Sequence, residues 1–170
     1  MRRLGFLLIV LALVAGCDDD NPNGPSGGAI VFTAQLSPAN EVPPVGGAEA
    51  SGRGFALITF NVPRDSSGGV SGAGTVTFEV QTTGFPDGTQ AIAAHIHPGA
   101  TGVNGSVLVP TNLSAADPLN MGPATVTRTL TADISQANAT NITANPGAFY
   151  FNVHTRNNGG GVMRGQLVRQ

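Results

Sequence analysis

Only three histidines occur in the 170 residues, and two of them stand one residue apart. These are His95 and His97, in Ala93-Ala94-His95-Ile96-His97-Pro98-Gly99. The third, His154, lies in Phe149-Tyr150-Phe151-Asn152-Val153-His154-Thr155. Neutral imidazole is a ligand for copper and zinc. In an extended strand a His-x-His pair puts both rings on one face, with Cα atoms roughly 6.5–7 Å apart. A third imidazole from a neighbouring strand would complete a three-nitrogen site for a divalent metal. Raw affinity favours Cu²⁺, and three protein ligands with a fourth position open make a reactive site rather than a structural one. The competing reading is that the rings hydrogen-bond to turns or to each other and hold no ion.

Four other polar residues fall where they could serve that site. Tyr150 and Asn152 share strand parity with His154, and with Glu41 they are candidates to orient the ligands. Arg164, in Gly161-Val162-Met163-Arg164-Gly165-Gln166-Leu167, follows a glycine-rich turn. It could bind an anion beside the histidines, or pair with Glu41 or a backbone carbonyl. Other chemistries lack their residues. No Ser/His/Asp arrangement, paired carboxylates or phosphate-cradling glycine loop stands in the right context. Cys17 is the only cysteine, which excludes an intrachain disulfide and cysteine-ligated zinc.

The elements that would position these residues are strands. The chain has 24 Gly and 12 Pro between short Val, Thr, Phe and Ile runs, and no Lys or Trp. Strands are expected over 30–36, 53–62, 74–83, 91–97, 106–109, 124–132, 147–155 and 162–168. Residues 110–123 read as a long polar connection, and 133–138 as a short helical turn capped by Thr131 or Asp133. In the third strand Val76, Phe78 and Val80 alternate with Thr75, Thr77, Glu79 and Gln81, so one face is buried. In the fourth, Ile92, Ala94 and Ile96 take the core face and leave the outer one to His95 and His97. In the seventh, Phe149, Phe151 and Val153 oppose Tyr150, Asn152 and His154. Seven or eight antiparallel strands over residues 29–170 predict an all-β domain, either a sandwich or a Greek-key barrel.

The start of the chain reads as an address. Arg2-Arg3 precede an apolar run, Leu4 to Val14, too short to span a bilayer, and Leu13-Val14-Ala15-Gly16-Cys17 resembles the lipobox of bacterial lipoproteins. That resemblance implies removal of residues 1–16 and acylation of Cys17, a palmitate-type anchor holding the protein on a membrane at the extracytoplasmic face of the cell envelope. Residues 17–28 would form the lipidated cysteine and a tether, since Asp18-Asp19-Asp20-Asn21-Pro22-Asn23-Gly24 has nothing apolar to bury. Formal net charge is −2, and with Arg2 and Arg3 removed six Arg face 10 Asp and Glu. No basic footprint for a nucleic acid exists.

Three segments, in order, carry a family resemblance: Phe32-Thr33-Ala34-Gln35-Leu36-Ser37-Pro38-Ala39-Asn40-Glu41-Val42-Pro43-Pro44-Val45, then 93–99, then Tyr150 to Thr155 with Gly160 to Leu167. Together they resemble the CHRD domain, the module named from the chordin proteins and common in bacterial secreted proteins. The resemblance implies an immunoglobulin-like sandwich or barrel, weakly similar to copper/zinc superoxide dismutases, and no settled activity. Within that similarity His95-x-His97 looks like the copper-binding strand, His154 like the late copper histidine, and Arg164 like the active-site arginine. No fourth histidine, zinc loop or disulfide is present, so a two-metal dismutase is rejected. The expectation is a lipid-anchored, non-catalytic binding module for an extracytoplasmic protein or small ligand, with copper as a possible but not required cofactor. The alternatives are a copper-binding protein or copper-only redox enzyme using His95, His97 and His154, and a purely structural surface protein.

Overall fold

A computed structural model describes residues 28–170. The leader, Cys17 and most of the tether lie outside the described residues. Ten strands and one helix follow in order: β1 (Ile30–Leu36), β2 (Arg53–Asn61), β3 (Gly74–Thr83), β4 (Thr89–Pro98), β5 (Val109–Pro110), β6 (Leu119–Met121), β7 (Val126–Ile134), α1 (Gln136–Ala144), β8 (Phe149–Thr155), β9 (Met163–Gln166) and β10 (Val168–Arg169). They form two antiparallel sheets. One has the order β10-β1-β2-β3-β7; the other runs β5-β4-β8-β9, with β6 also paired to β4. This is a sandwich and not a closed barrel.

The inward residues are those that period-2 alternation selects. Phe32 and Ala34, Ile58 and Phe60, and Val76 and Phe78 are buried from the first sheet. Ala94, Ile96, Phe151 and Val153 are buried from the second. Phe78 and Phe151 stack across the gap with ring centroids 5.1 Å apart. Burying a side chain of this size contributes roughly 1.5–3 kcal/mol, so the sheets are joined mainly by such pairs.

Five expectations change. The strand expected over 106–109 is only the two-residue β5, Val109–Pro110. A bulge in β4 between Ala91 and Ala93 flips side-chain parity, so Ala91 rather than Ile92 faces the core at that end. The connection 110–123 contributes the short strand β6, which pairs Leu119 with Ala91. The helical turn expected at 133–138 is instead the tail of β7 followed by α1, whose cap is Ser135: its Oγ accepts from Asn138 N at 3.2 Å. The last strand divides at Leu167, because β9 pairs with β8 in one sheet while β10 pairs with β1 in the other.

Candidate metal site

Strands β4, β8 and β9 lie side by side, and their registers lay out a patch on the outer face of the second sheet. Ala93 is opposite His154, His95 is opposite Asn152, and His97 is opposite Tyr150. Asn152 is opposite Arg164 in turn. The three histidines are therefore neighbours because β4 and β8 are adjacent and antiparallel. One ring nitrogen from each lies within 4.8 Å of those of the others.

This face is not wet. His97 is 5% exposed, His154 8%, Tyr150 2%, Asn152 2% and Arg164 2%. Three loops fold over it: 37–45, 99–107 and 156–161. Alternation alone cannot show this, since it identifies the face opposite the core and not what covers it. His95 is the half-buried member and marks the side open to solvent.

The covering loops fix the rings. His97 Nδ1 donates to Gly105 O at 3.1 Å, which leaves Nε2 as a bare acceptor. His154 Nδ1 donates to Gly159 O at 3.1 Å, which does the same for its Nε2. His95 Nδ1 sits 3.2 Å from His154 Nε2. His97 Nε2 is buried with no partner among the described residues. Tyr150 supports the arrangement from beneath. Its ring stacks on His97 at 5.0 Å and 5°, and its hydroxyl accepts from Gly105 N at 3.1 Å. Gly105 must lack a side chain, because a Cβ there would lie 1.7 Å from Pro98 O.

Burial pushes all three imidazoles toward the neutral form. His95 is lowered to about 4, first by desolvation and then by the neighbouring His154 and His97. His97 and His154 are lowered by desolvation, partly opposed by their bonds to the Gly105 and Gly159 carbonyls. At neutral pH the trio thus offers lone pairs and not protons, which is the state a metal requires. Ions bound at 2.0–2.1 Å need ligand nitrogens about 3.3–3.6 Å apart. The His95–His154 pair, at 3.2 Å, stands just inside this spacing, and any pair near the 4.8 Å limit would have to close by about 1 Å.

Arg164 and Glu41 stand beside the trio without touching a histidine nitrogen. Arg164 Nε donates to Asn40 O at 2.7 Å, and Nη1 donates to Asn104 Oδ1 at 2.8 Å. Its Cζ lies 4.6 Å over the Tyr150 ring, a cation–π contact. Glu41 Oε2 is 4.0 Å from Arg164 Nε. That distance makes an ion pair without a hydrogen bond, and burial outweighs it: desolvation raises Glu41 to about 7, with Arg164 pulling the other way. Glu41 Oε1, Asn152 Oδ1 and Arg164 Nη2 are all buried with no partner among the described residues, like His97 Nε2. A polar layer with so many open valences is unusual for a surface that serves only packing.

The model of the CHRD domain family matches residues 32–167. The chain belongs to this family. The match spans the sandwich from β1 to the crossing at Leu167, and so includes every residue of this CHRD patch. No curated protein and no solved structure matches the chain.

One group in the CHRD site carried no sequence signal. Glu49, a lone acid in the Gly- and Ala-rich stretch 46–52, is buried and bonded to the loop after β8. The carbonyls of Gly105 and Gly159 were equally invisible, because backbone atoms carry no residue-type signature.

Proposed function

We propose that this CHRD domain is a binding module whose ligand is a divalent transition-metal ion, copper before zinc. The ligands would be His95 Nδ1, His97 Nε2 and His154 Nε2. The observation that supports this best is the fixed tautomer of the two buried rings: each spends Nδ1–H on a loop carbonyl and so leaves Nε2 unprotonated, without a partner among the described residues at His97 and facing His95 Nδ1 at His154. A buried nitrogen acceptor with no donor costs roughly 1–3 kcal/mol, and coordination removes that cost at His97. His95 would shift its proton to Nε2 on its solvent side and turn Nδ1 to the ion. Three neutral ligands leave a fourth position on the His95 side, the side open to solvent. Copper is preferred over zinc because imidazole sets follow the general affinity order that peaks at Cu²⁺.

The test is calorimetric titration of the purified protein with Cu²⁺ and Zn²⁺, repeated on His97→Ala. Binding tighter than micromolar that the substitution abolishes supports the proposal. No such binding, or binding that survives the substitution, contradicts it.

The second reading is capture of a small ligand or protein segment. Its support is a cleft of about 370 Å³ between Val42–Gly46 and Asn157–Gly161. The cleft shares Gly159 and Gly161 with the histidine layer, so both readings place recognition at one end of the sandwich. Location is proposed from the leader: acylation of Cys17 would hold the domain at the extracytoplasmic side of a bacterial envelope membrane. Buried methylenes at about 0.8 kcal/mol each make two or more acyl chains a stable anchor. Labelled fatty acid should enter the wild type and not Cys17→Ser; equal labelling of both would refute it.

A further inference from the structure

Glu49 is 4% exposed and sits in the 3₁₀ turn Gly47–Ser51. No arginine bonds to it among the described residues. Its oxygens instead accept three side-chain hydrogen bonds: from Thr155 Oγ1 at 2.7 Å, Asn158 Nδ2 at 2.6 Å and Asn157 Nδ2 at 2.9 Å. All three donors flank one loop. Thr155 is the residue after His154, and its Oγ1 in turn accepts from Asn158 N at 3.0 Å. Thr155 N and Gly161 N both donate to Asn158 O, which closes the turn. The next residue, Gly159, supplies the carbonyl that receives His154 Nδ1–H.

The loop needs such an anchor. Asn157 and Asn158 lead into three consecutive glycines, each of which loses more conformational freedom on ordering than any other residue. Left to itself, a run of this kind does not hold one carbonyl in one place. The glycines are also required there. Gly161 has φ +134°, and a Cβ on it would lie 2.6 Å from Asn152 Nδ2 and 2.8 Å from Glu41 Oε1. Rigidity therefore has to come from outside the loop: Arg156 Nε donates to Gln90 Oε1 at 3.0 Å at its start, and Glu49 holds the two asparagines that precede Gly159.

We infer that Glu49 is the positioning residue of the histidine site: by clamping Asn157 and Asn158 it fixes the Gly159 carbonyl, and so the tautomer and orientation of His154. The inference deepens the metal reading and rests on it for its consequence, but its mechanism is visible without metal. A carboxylate two steps removed from a ligand ring acts as outer-shell partners do, and loss of such partners costs about 10–100-fold in metal affinity.

The experiment follows the histidine side chains of ¹⁵N-labelled protein by long-range ¹H–¹⁵N spectra, with Cu²⁺ titration and thermal unfolding of the same samples. Wild type should show His154 as a single Nδ1–H tautomer. Glu49→Gln keeps the shape but puts an amide against two amide donors. It should give a tautomer mixture at His154, with His97 unchanged, and Cu²⁺ affinity about 10–100-fold lower. Asn157→Ala, at an exposed position, should move the same signals less and secures the test if Glu49→Gln does not fold. A folded Glu49→Gln with the wild-type tautomer and affinity overturns the inference, even if its melting temperature falls. Wild type that binds no Cu²⁺ while Glu49→Gln still mixes the His154 tautomers overturns the metal reading and upholds the positioning role.

Discussion

Replacing Glu41 by glutamine should make the protein more stable at pH 8 and leave it unchanged at pH 4. Glu41 is 6% exposed, and burial raises its pKa from 4.5 to about 7 against the pull of Arg164. A group with a raised folded-state pKa contributes stability that is complete below its unfolded value and is lost as pH rises through the folded one. Here the window runs from 4.5 to about 7. At about 1.4 kcal/mol per pH unit across that window, ionising Glu41 costs the folded state roughly 3 kcal/mol. The amide of Glu41→Gln is never charged and so avoids this cost. The unpaired Arg164 in the variant returns part of the difference, which leaves an expected gain of about 1–3 kcal/mol at pH 8. His95 works in the opposite direction. Its pKa falls to about 4, so its contribution is present above 6.5 and is lost as pH drops toward 4. The two effects offset each other in the wild type between about pH 4.5 and 6.5. Urea unfolding at half-unit steps from pH 4 to 8 reads this directly. The wild type should show a shallow dependence, and Glu41→Gln a stability that climbs with pH as the histidines alone dictate. With m near 1–3 kcal/mol per molar urea, the midpoints should separate by roughly 0.5–2 M at pH 8 and converge at pH 4. A variant that is destabilised equally at every pH would contradict a burial-raised Glu41. It would show that Arg164 holds Glu41 ionised throughout and that burial does not dominate.

Three further outcomes follow from named contacts. Gly161→Ala should destabilise by about 1–3 kcal/mol in thermal unfolding, because the residue sits at φ +134° and its Cβ would press on Asn152 and Glu41. Tyr150→Phe keeps the stack on His97 but removes the acceptor for Gly105 N; it should cost about 1 kcal/mol and speed hydrogen exchange at the Gly105 amide. Phe78→Ala should cost about 3–5 kcal/mol in urea unfolding, since that ring is fully buried and stacks on Phe151 across the sheets.

The strands were legible because most of them have one apolar face. Val76, Phe78 and Val80 announce β3 within its observed bounds, and β1 likewise. The short strands β5 and β6 have two and three residues, too few for a period to register. The β4 bulge is set by pairing to β8 and leaves no mark on the uniformly apolar run Ala91-Ile92-Ala93-Ala94. For the site, the spacing His95-x-His97 with His154 on equal strand parity was enough to bring the rings together once β4 and β8 proved adjacent. The sequence could not reveal that the outer face is roofed by loops. That roof is what turns exposed imidazoles into buried ones, sets their tautomers through Gly105 and Gly159, and leaves Glu41 half-protonated near neutrality. Those contacts join residues up to 124 positions apart, as Arg164 does with Asn40, and no local pattern encodes them.

The most direct test of the metal site is a crystal structure of the protein grown with one equivalent of Cu²⁺, with anomalous data at the copper edge. A single strong peak should lie about 2.0–2.1 Å from His95 Nδ1, His97 Nε2 and His154 Nε2, with the Gly105 and Gly159 carbonyls still bonded to the Nδ1 atoms of His97 and His154. An ion bound elsewhere, or no peak while the three rings keep the spacing of the metal-free protein, would contradict the account.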